Sequence, residues 1–210
     1  MKIAIFYHIA QMGMSPFVYQ SQLNKLYTFG LIEAADYIYF GVNGSQELFN
    51  VPDKVVVHHN QEENWGSEKE TLLALKKFCD ENNNYKVLYF HTKGVSKDTI
   101  GIHSWRLMME YYVIDKWKEC IDTLDYYNTT GFSLSVDVPH FIGNFWWANA
   151  SYIETLKYDL LLTDSRYDCE NWIGTGKEFN PKEFHKLDVE WFDRGNSLYW
   201  DVYPETKYIK

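Results

Sequence analysis

The chain lacks the cysteine pattern of a disulfide or zinc framework. Its three cysteines, Cys79, Cys120 and Cys169, are odd in number and have no Cys-x-x-Cys spacing, so they read as reduced core residues. Basic charge is also short. Twenty Lys+Arg stand against 29 Asp+Glu, a net charge of -9, which leaves no positive field for nucleic acid or an anionic membrane surface. No apolar run approaches the ~20 residues that cross a bilayer; the longest lie around Val55-Val56-Val57 and Leu160-Leu161-Leu162. Membrane insertion is therefore not expected. The opening Met1-Lys2-Ile3-Ala4-Ile5-Phe6 meets Tyr7-His8 without a small-residue cleavage pattern. It reads as a buried strand and not as a signal peptide, and the expected location is the cytoplasm.

Several catalytic signatures are missing too. There is no GxGxxG after the first strand, no GxxxxGK[ST], no GxSxG and no HExxH. Dinucleotide-binding dehydrogenases, P-loop NTPases, α/β-hydrolases and zincins thereby lose their usual support. What is present is an ordinary globular balance, 46% hydrophobic and 23% charged, in 210 residues, enough for one packed core. The 38 aromatics (13 Phe, 17 Tyr, 8 Trp) make up 18% of the chain. They either fill that core or wall a site that stacks on a sugar or nucleobase.

Short apolar runs alternate with helical periods, the pattern of an α/β fold with a mostly parallel sheet flanked by helices. Strands are predicted over 2–8, 37–42, 54–59 and 85–90. A helix over 15–34 opens on Ser15 as cap with Pro16 at its first position, and a second, running to 81, opens on the capping box Ser67-Glu68-Lys69-Glu70. From 104 to 124 the apolar positions hold the helical period for almost six turns. Further strands are expected over 131–136 and 141–148, a short helix over 151–158, and a last strand over 189–192, with Pro181 and Pro204 as interruptions. No linker or repeat divides the chain, so 1–210 reads as a single domain.

Ligands of open α/β sheets bind beyond the carboxyl ends of the strands. Here the predicted strands end in Tyr7-His8, His58-His59 and His91-Thr92-Lys93-Gly94. The last set joins donors, a cation and a flexible glycine, and suits a diphosphate; His58 and His59 read as solvated strand ends. A second segment, Pro139-His140-Phe141-Ile142-Gly143-Asn144-Phe145-Trp146-Trp147-Ala148, reads either as a bulged core strand or as a sugar site. In the latter case Asn144 meets hydroxyls and a tryptophan face meets a pyranose ring. The third, Arg166-Tyr167-Asp168-Cys169-Glu170-Asn171-Trp172-Ile173-Gly174, places two carboxylates among aromatics; two residues apart on a helix, Asp168 and Glu170 do not share a face.

The runs Tyr89-Phe90-His91-Thr92-Lys93-Gly94-Val95-Ser96, Trp105-Arg106, 140–148 with Tyr152-Ile153, and Glu170-Asn171-Trp172-Ile173-Gly174 together resemble a glycosyltransferase family of bacteria and large DNA viruses that has the GT-A (nucleotide-diphospho-sugar transferase) fold. The resemblance implies a nucleotide-binding half over about 1–95 and a donor-sugar and acceptor half over about 96–210. It implies transfer of a hexose or deoxyhexose from a UDP-sugar to a hydroxyl of a glycan acceptor, in the host cytoplasm for a viral member, with further domains possible in a longer chain. Tyr7, His8, His91, Thr92, Lys93 and Arg106 would then bind the donor nucleotide, and His140, Asn144, Trp146, Trp147 and Trp172 the sugar and acceptor. Glu170 would be the catalytic base.

Where such enzymes carry Asp-x-Asp, this chain has His91-Thr92-Lys93, which leaves two routes. Lys93, with His91 or Arg106, neutralises the diphosphate directly, or a Mn²⁺ or Mg²⁺ ion bound mainly by the diphosphate takes ligands from elsewhere, such as Asp137, His140 or His185. The alternative function is a carbohydrate-binding or scaffold domain without turnover. A nucleotidyltransferase is a third reading, for which acidic metal-binding pairs would be expected at a strand end.

Overall fold

The computed structural model describes residues 1–60, 68–135, 137–163 and 165–186. Seven strands among them form one sheet: β1 (Lys2–Ala10), β2 (Tyr37–Asn43), β3 (Val55–Asn60), β4 (Tyr85–His91), β5 (Thr129–Gly131), β6 (Trp146–Asn149) and β7 (Pro181–Glu183). Their order is β3-β2-β1-β4-β6-β5-β7. The pairs β3·β2, β2·β1, β1·β4 and β5·β7 are parallel, whereas β6 pairs antiparallel with both β4 and β5. All strands but β6 therefore run one way, and their carboxyl ends share an edge.

Helices cover both faces. The side chains of Ile3, Ile5, Tyr7 and Ile9 on β1 enter one apolar layer with α1 (Ser15–Thr28), α2 (Leu31–Ala34), α4 (Ile100–Glu110) and α5 (Trp117–Thr123). The alternate residues Ala4 and Phe6 enter the other, with α3 (Lys69–Glu81), α6 (Ala150–Glu154) and α7 (Arg166–Asn171). This period of two on strands buried from both sides explains why the predictions of β1, β2 and β4 hold within two residues; that of β3, a half-exposed edge strand, holds within one. Burial raises the thiols of all three cysteines, Cys169 to about 12, and each is a free core residue.

Some boundaries differ from those expected. Met14, not Ser15, is the residue before the first helical position of α1, so Pro16 stands one place later, and the helix breaks at Gly30 before α2. The helix expected over 104–124 begins earlier and is split by a π turn, Tyr111–Asp115, where the Lys116 N–H donates to the Tyr111 carbonyl. The indole N–H of Trp147 donates to the Val113 carbonyl in that turn, 2.7 Å away.

The strand expected over 131–136 lies earlier, as β5. Residues after it make a local ladder, Ile142 N–H to Ser133 O and Ser135 N–H to His140 O, and the Phe132 carbonyl accepts from the His185 N–H. Asn144, at φ 58°, turns the chain before β6, so the strand expected over 141–148 shortens to four residues. Pro181 starts β7 at the sheet edge, where no ladder donor is needed of it. Ser67 of the capping box, the strand expected over 189–192, and Pro204 lie outside the described residues.

Candidate functional site

Two loops meet at the carboxyl edge of β1 and β4. Thr92 fixes the exit of β4 to β1: its hydroxyl accepts from the Ala10 N–H at 2.9 Å and its own N–H donates to the His8 carbonyl at 3.0 Å. Thr92 is thus a buried structural tie and does not offer its hydroxyl to a ligand. Beyond it, the Met14 N–H donates to the Val95 carbonyl. Gly13, at φ 49°, lies so close to that carbonyl that a Cβ would collide with it. Across from this seam, the side chain of Gln11 pairs in both directions with the backbone of Gln46, at 2.6 and 2.8 Å. Between them lies a cleft of about 200 Å³ lined by Gln11, Gly13, Ser15, Tyr19, Glu47 and Phe49, among others. It is smaller than the ~300–1,000 Å³ of a pocket for a whole drug-sized ligand, which suits one ring.

On the α3 face of the sheet, polar groups converge under the same edge. Glu68, directly before α3, is 7% exposed. Its Oε2 accepts from the Tyr89 hydroxyl at 2.7 Å and from the Asn144 amide, and its Oε1 lies 3.6 Å from His91 Nε2. His91 Nε2 is 3.0 Å from the Gly143 carbonyl, and Asn144 Oδ1 accepts from the Trp146 indole at 2.8 Å. His8, the neighbour of His91 across the β1·β4 ladder, is bonded through Nδ1 to the Thr71 hydroxyl at 2.9 Å. Burial lowers its pKa to about 4, with Glu68 opposing and His91 adding to the shift, so it stays neutral. The structure therefore brings His8, His91, Asn144 and Trp146 together around a carboxylate.

The opposite face holds a second buried network. The hydroxyl of Tyr7 donates to Gln22 at 2.6 Å, and its ring stacks on Phe90 with centroids 4.3 Å apart. Gln22 donates to Glu110 at 2.9 Å and to the His91 carbonyl at 3.2 Å. Arg106 lies 3.5 Å from Glu110 and donates to the Lys93 carbonyl at 3.1 Å. Burial raises the Glu110 carboxyl, against Lys25, Arg106 and Gln22, and lowers Arg106, against Glu110 and Tyr7. Tyr7 is wholly buried and Arg106 is 5% exposed. Both are corrected from nucleotide ligands to supports beneath the edge. Lys93 is partly buried, with Nζ 4.7 Å from the Trp105 ring centroid.

The tryptophans expected to wall a sugar do not reach solvent. Trp146, Trp147 and Trp172 are all fully buried; the Trp172 indole donates to the Lys157 carbonyl at 2.8 Å. Core packing claims these rings because they occupy β6 and the 3₁₀ turn Trp172–Gly174, both pressed under helices. On α7 the two carboxylates diverge as expected. Asp168 accepts from the Thr163 hydroxyl at 2.6 Å, whereas the charge of Glu170 is felt by the Tyr89 phenol in the Glu68 cluster. Glu170 is half-buried.

His140 bonds the Val138 carbonyl at 2.8 Å, and His185 stacks on Phe132 and Tyr112. Among the described residues, no three His, Cys, Asp or Glu side chains are grouped to hold a metal ion. Asp137, His140 and His185 thus do not form a three-ligand group there. His59 bonds the Gly44 carbonyl and His58 stacks on Tyr39, both on the edge strand β3. No helix among the described residues is long and apolar enough to cross a membrane.

Sequence reasoning missed the roles of Glu68, Gln22 and Glu110, and missed residues 46–49 as one wall of the cleft. Glu68 carried a signal, a carboxylate at a helix start, but one that serves equally as a capping residue. Gln22 and Glu110 sit at helix positions whose neighbours are apolar, and only their pairing across 88 residues explains them.

A family model described as "Domain of unknown function (DUF8361)" matches residues 40–161. No curated protein matches the chain. Among solved structures, the bifunctional IspDF from Campylobacter jejuni has 9% identity and a TM-score of 0.46, covering 87% of this chain and 50% of that one. The Francisella tularensis 2-C-methyl-D-erythritol 4-phosphate cytidylyltransferase (IspD) has 11% identity and a TM-score of 0.42, covering 94% and 100%. The chain spans half the length of the IspDF protein, and likenesses this distant carry no functional argument. The family match runs from within β2 to the turn after α6, more than half of the chain, which therefore belongs to the family described as domain of unknown function DUF8361.

Proposed function

We propose that this domain is a GT-A-type glycosyltransferase that moves a hexose or deoxyhexose from a UDP-sugar to a glycan hydroxyl. The observation that carries the reading is the seam between the β1–α1 and β4–α4 loops. It sets the ring-sized cleft, the Lys93 ammonium and the Glu68 cluster along one carboxyl edge of a mostly parallel sheet. The base would enter the cleft, the diphosphate would lie against Lys93, and the sugar would face His91 and Asn144.

In the reaction the bond from the anomeric carbon to the diphosphate oxygen breaks, and UDP leaves with the electron pair. A bond forms from the acceptor oxygen to that carbon, and in an inverting enzyme Glu170 takes the acceptor proton. Lys93 stabilises the charge that develops on the leaving diphosphate. The alternative of a carbohydrate-binding module without turnover loses the tryptophan platform it would use, since Trp146, Trp147 and Trp172 are buried. Release of free UDP from a panel of UDP-sugars, with and without glycan acceptors, tests the proposal. Release that depends on acceptor supports it, and none with any donor refutes it.

A further inference from the structure

We propose that His103, in its neutral form, is a positioning residue for the loop that carries Lys93. A guanidinium has donors only, and Arg106 Nη2 lies 2.8 Å from His103 Nδ1. That nitrogen must accept, so the imidazole proton sits on Nε2, which donates to Asp98 Oδ1 at 2.8 Å. Arg106 Nη1 donates onward to the Lys93 carbonyl. One relay, Asp98 to His103 to Arg106 to Lys93, therefore pins both ends of residues 93–98 onto the first turns of α4. The Lys97 N–H to Gly94 and Thr99 N–H to Lys97 bonds lie within or beside the pinned loop.

A side chain at 103 that offers no acceptor would undo the arrangement. Arg106 Nη2 would lose that partner while the guanidinium stays nearly buried, and Asp98 would lose the donor that ties the far end of the loop. The charges about this relay include Lys97 and Lys93 on the loop, and Glu110 behind Arg106 on α4, itself adjoined by Lys25 of α1. The loop and its lysine backbone would then loosen. The functional half of the proposal rests on the sugar-nucleotide reading above, and the structural half does not.

Hydrogen exchange on the full chain without nucleotide tests the structural half. Protection of the Lys97 and Thr99 amides should fall about tenfold in His103→Phe, the size of one lost hydrogen bond to a charged group. His103→Asn keeps an acceptor near the Nδ1 position, so its protection should stay close to wild type. A Phe variant as protected as wild type, or an Asn variant that loses as much as Phe, overturns the proposal. UDP affinity should weaken in His103→Phe and be rescued in His103→Asn. If UDP binds all three proteins alike, the positioning role is wrong. If UDP binds none of them, the sugar-nucleotide reading fails, and the exchange data alone judge the relay.

Discussion

His91 Nε2 lies 3.0 Å from the carbonyl oxygen of Gly143, which joins the exit of β4 to the turn that leads into β6. Gly143 holds φ 87°, and a Cβ there would collide with Met109. The hydrogen bond and the turn together place Asn144 beside Glu68, and so unite two segments 52 residues apart. From this arrangement the consequences of altering the cluster can be stated.

Removing the Glu68 carboxylate should expose how much the cluster depends on it. Glu68→Ala leaves the Tyr89 hydroxyl and the Asn144 amide buried without an acceptor, at about 1–3 kcal/mol for each unsatisfied group. A total loss of about 3 kcal/mol is expected in urea unfolding, with Glu68→Gln losing clearly less because its amide oxygen still accepts. Equal stability for the two variants would contradict the bonding described.

His8 makes stability depend on pH. Its folded pKa of about 4 lies below the ordinary histidine value of 6.5, chiefly through burial, so the unfolded chain binds more protons between the two. The contribution is fully present above about pH 6.5 and is lost as pH falls through about 4, a change of about 3 kcal/mol by linkage. Unfolding midpoints measured over this interval should fall in wild type and fall less in His8→Asn. Parallel curves would remove His8 as the source.

Lys93→Ala should weaken UDP about tenfold or more, roughly 1.4 kcal/mol, and leave uridine binding nearly unchanged. In the proposed reading the ammonium meets the diphosphate, and Lys93 is not among the residues that line the cleft. Calorimetric titration of both ligands makes the comparison. Equal losses would mean that Lys93 only supports its loop.

Glu170→Gln preserves shape while removing basicity. Transfer to acceptor should slow by about 10²–10⁴, the usual size of general-base catalysis, with donor affinity intact. Acceptor-dependent UDP release at saturating donor measures it, and a near wild-type rate excludes Glu170 as the base.

The alternation of apolar strands and helical periods made the sheet legible, because β1, β2 and β4 are buried on both faces and their sequences show it. The polar exit at His91 was legible for the same reason, since a break after an apolar run marks the carboxyl edge, whereas the break at His8 misled: β1 runs on to Ala10 with His8 buried inside it. What did not show was which polar residues face a ligand. Tyr7 and Arg106 look like donors in sequence, yet Tyr7 follows the inward phase of β1 and Arg106 turns back to the Lys93 carbonyl. The Trp146-Trp147 pair looks like a sugar platform, but consecutive strand residues point to opposite faces, and both faces here are covered by helices. The cleft depends on residues 46–49 meeting the β1–α1 loop, a contact that no local spacing encodes.

Calorimetric titration of the unmodified domain with UDP tests the central claim most directly, that the edge between the cleft and Lys93 holds a sugar nucleotide. Saturable binding at one UDP per chain, stronger than that of uridine, is the predicted result. No heat of binding for UDP up to about 1 mM, where even a weak complex of roughly -4.1 kcal/mol would half-saturate, would contradict it.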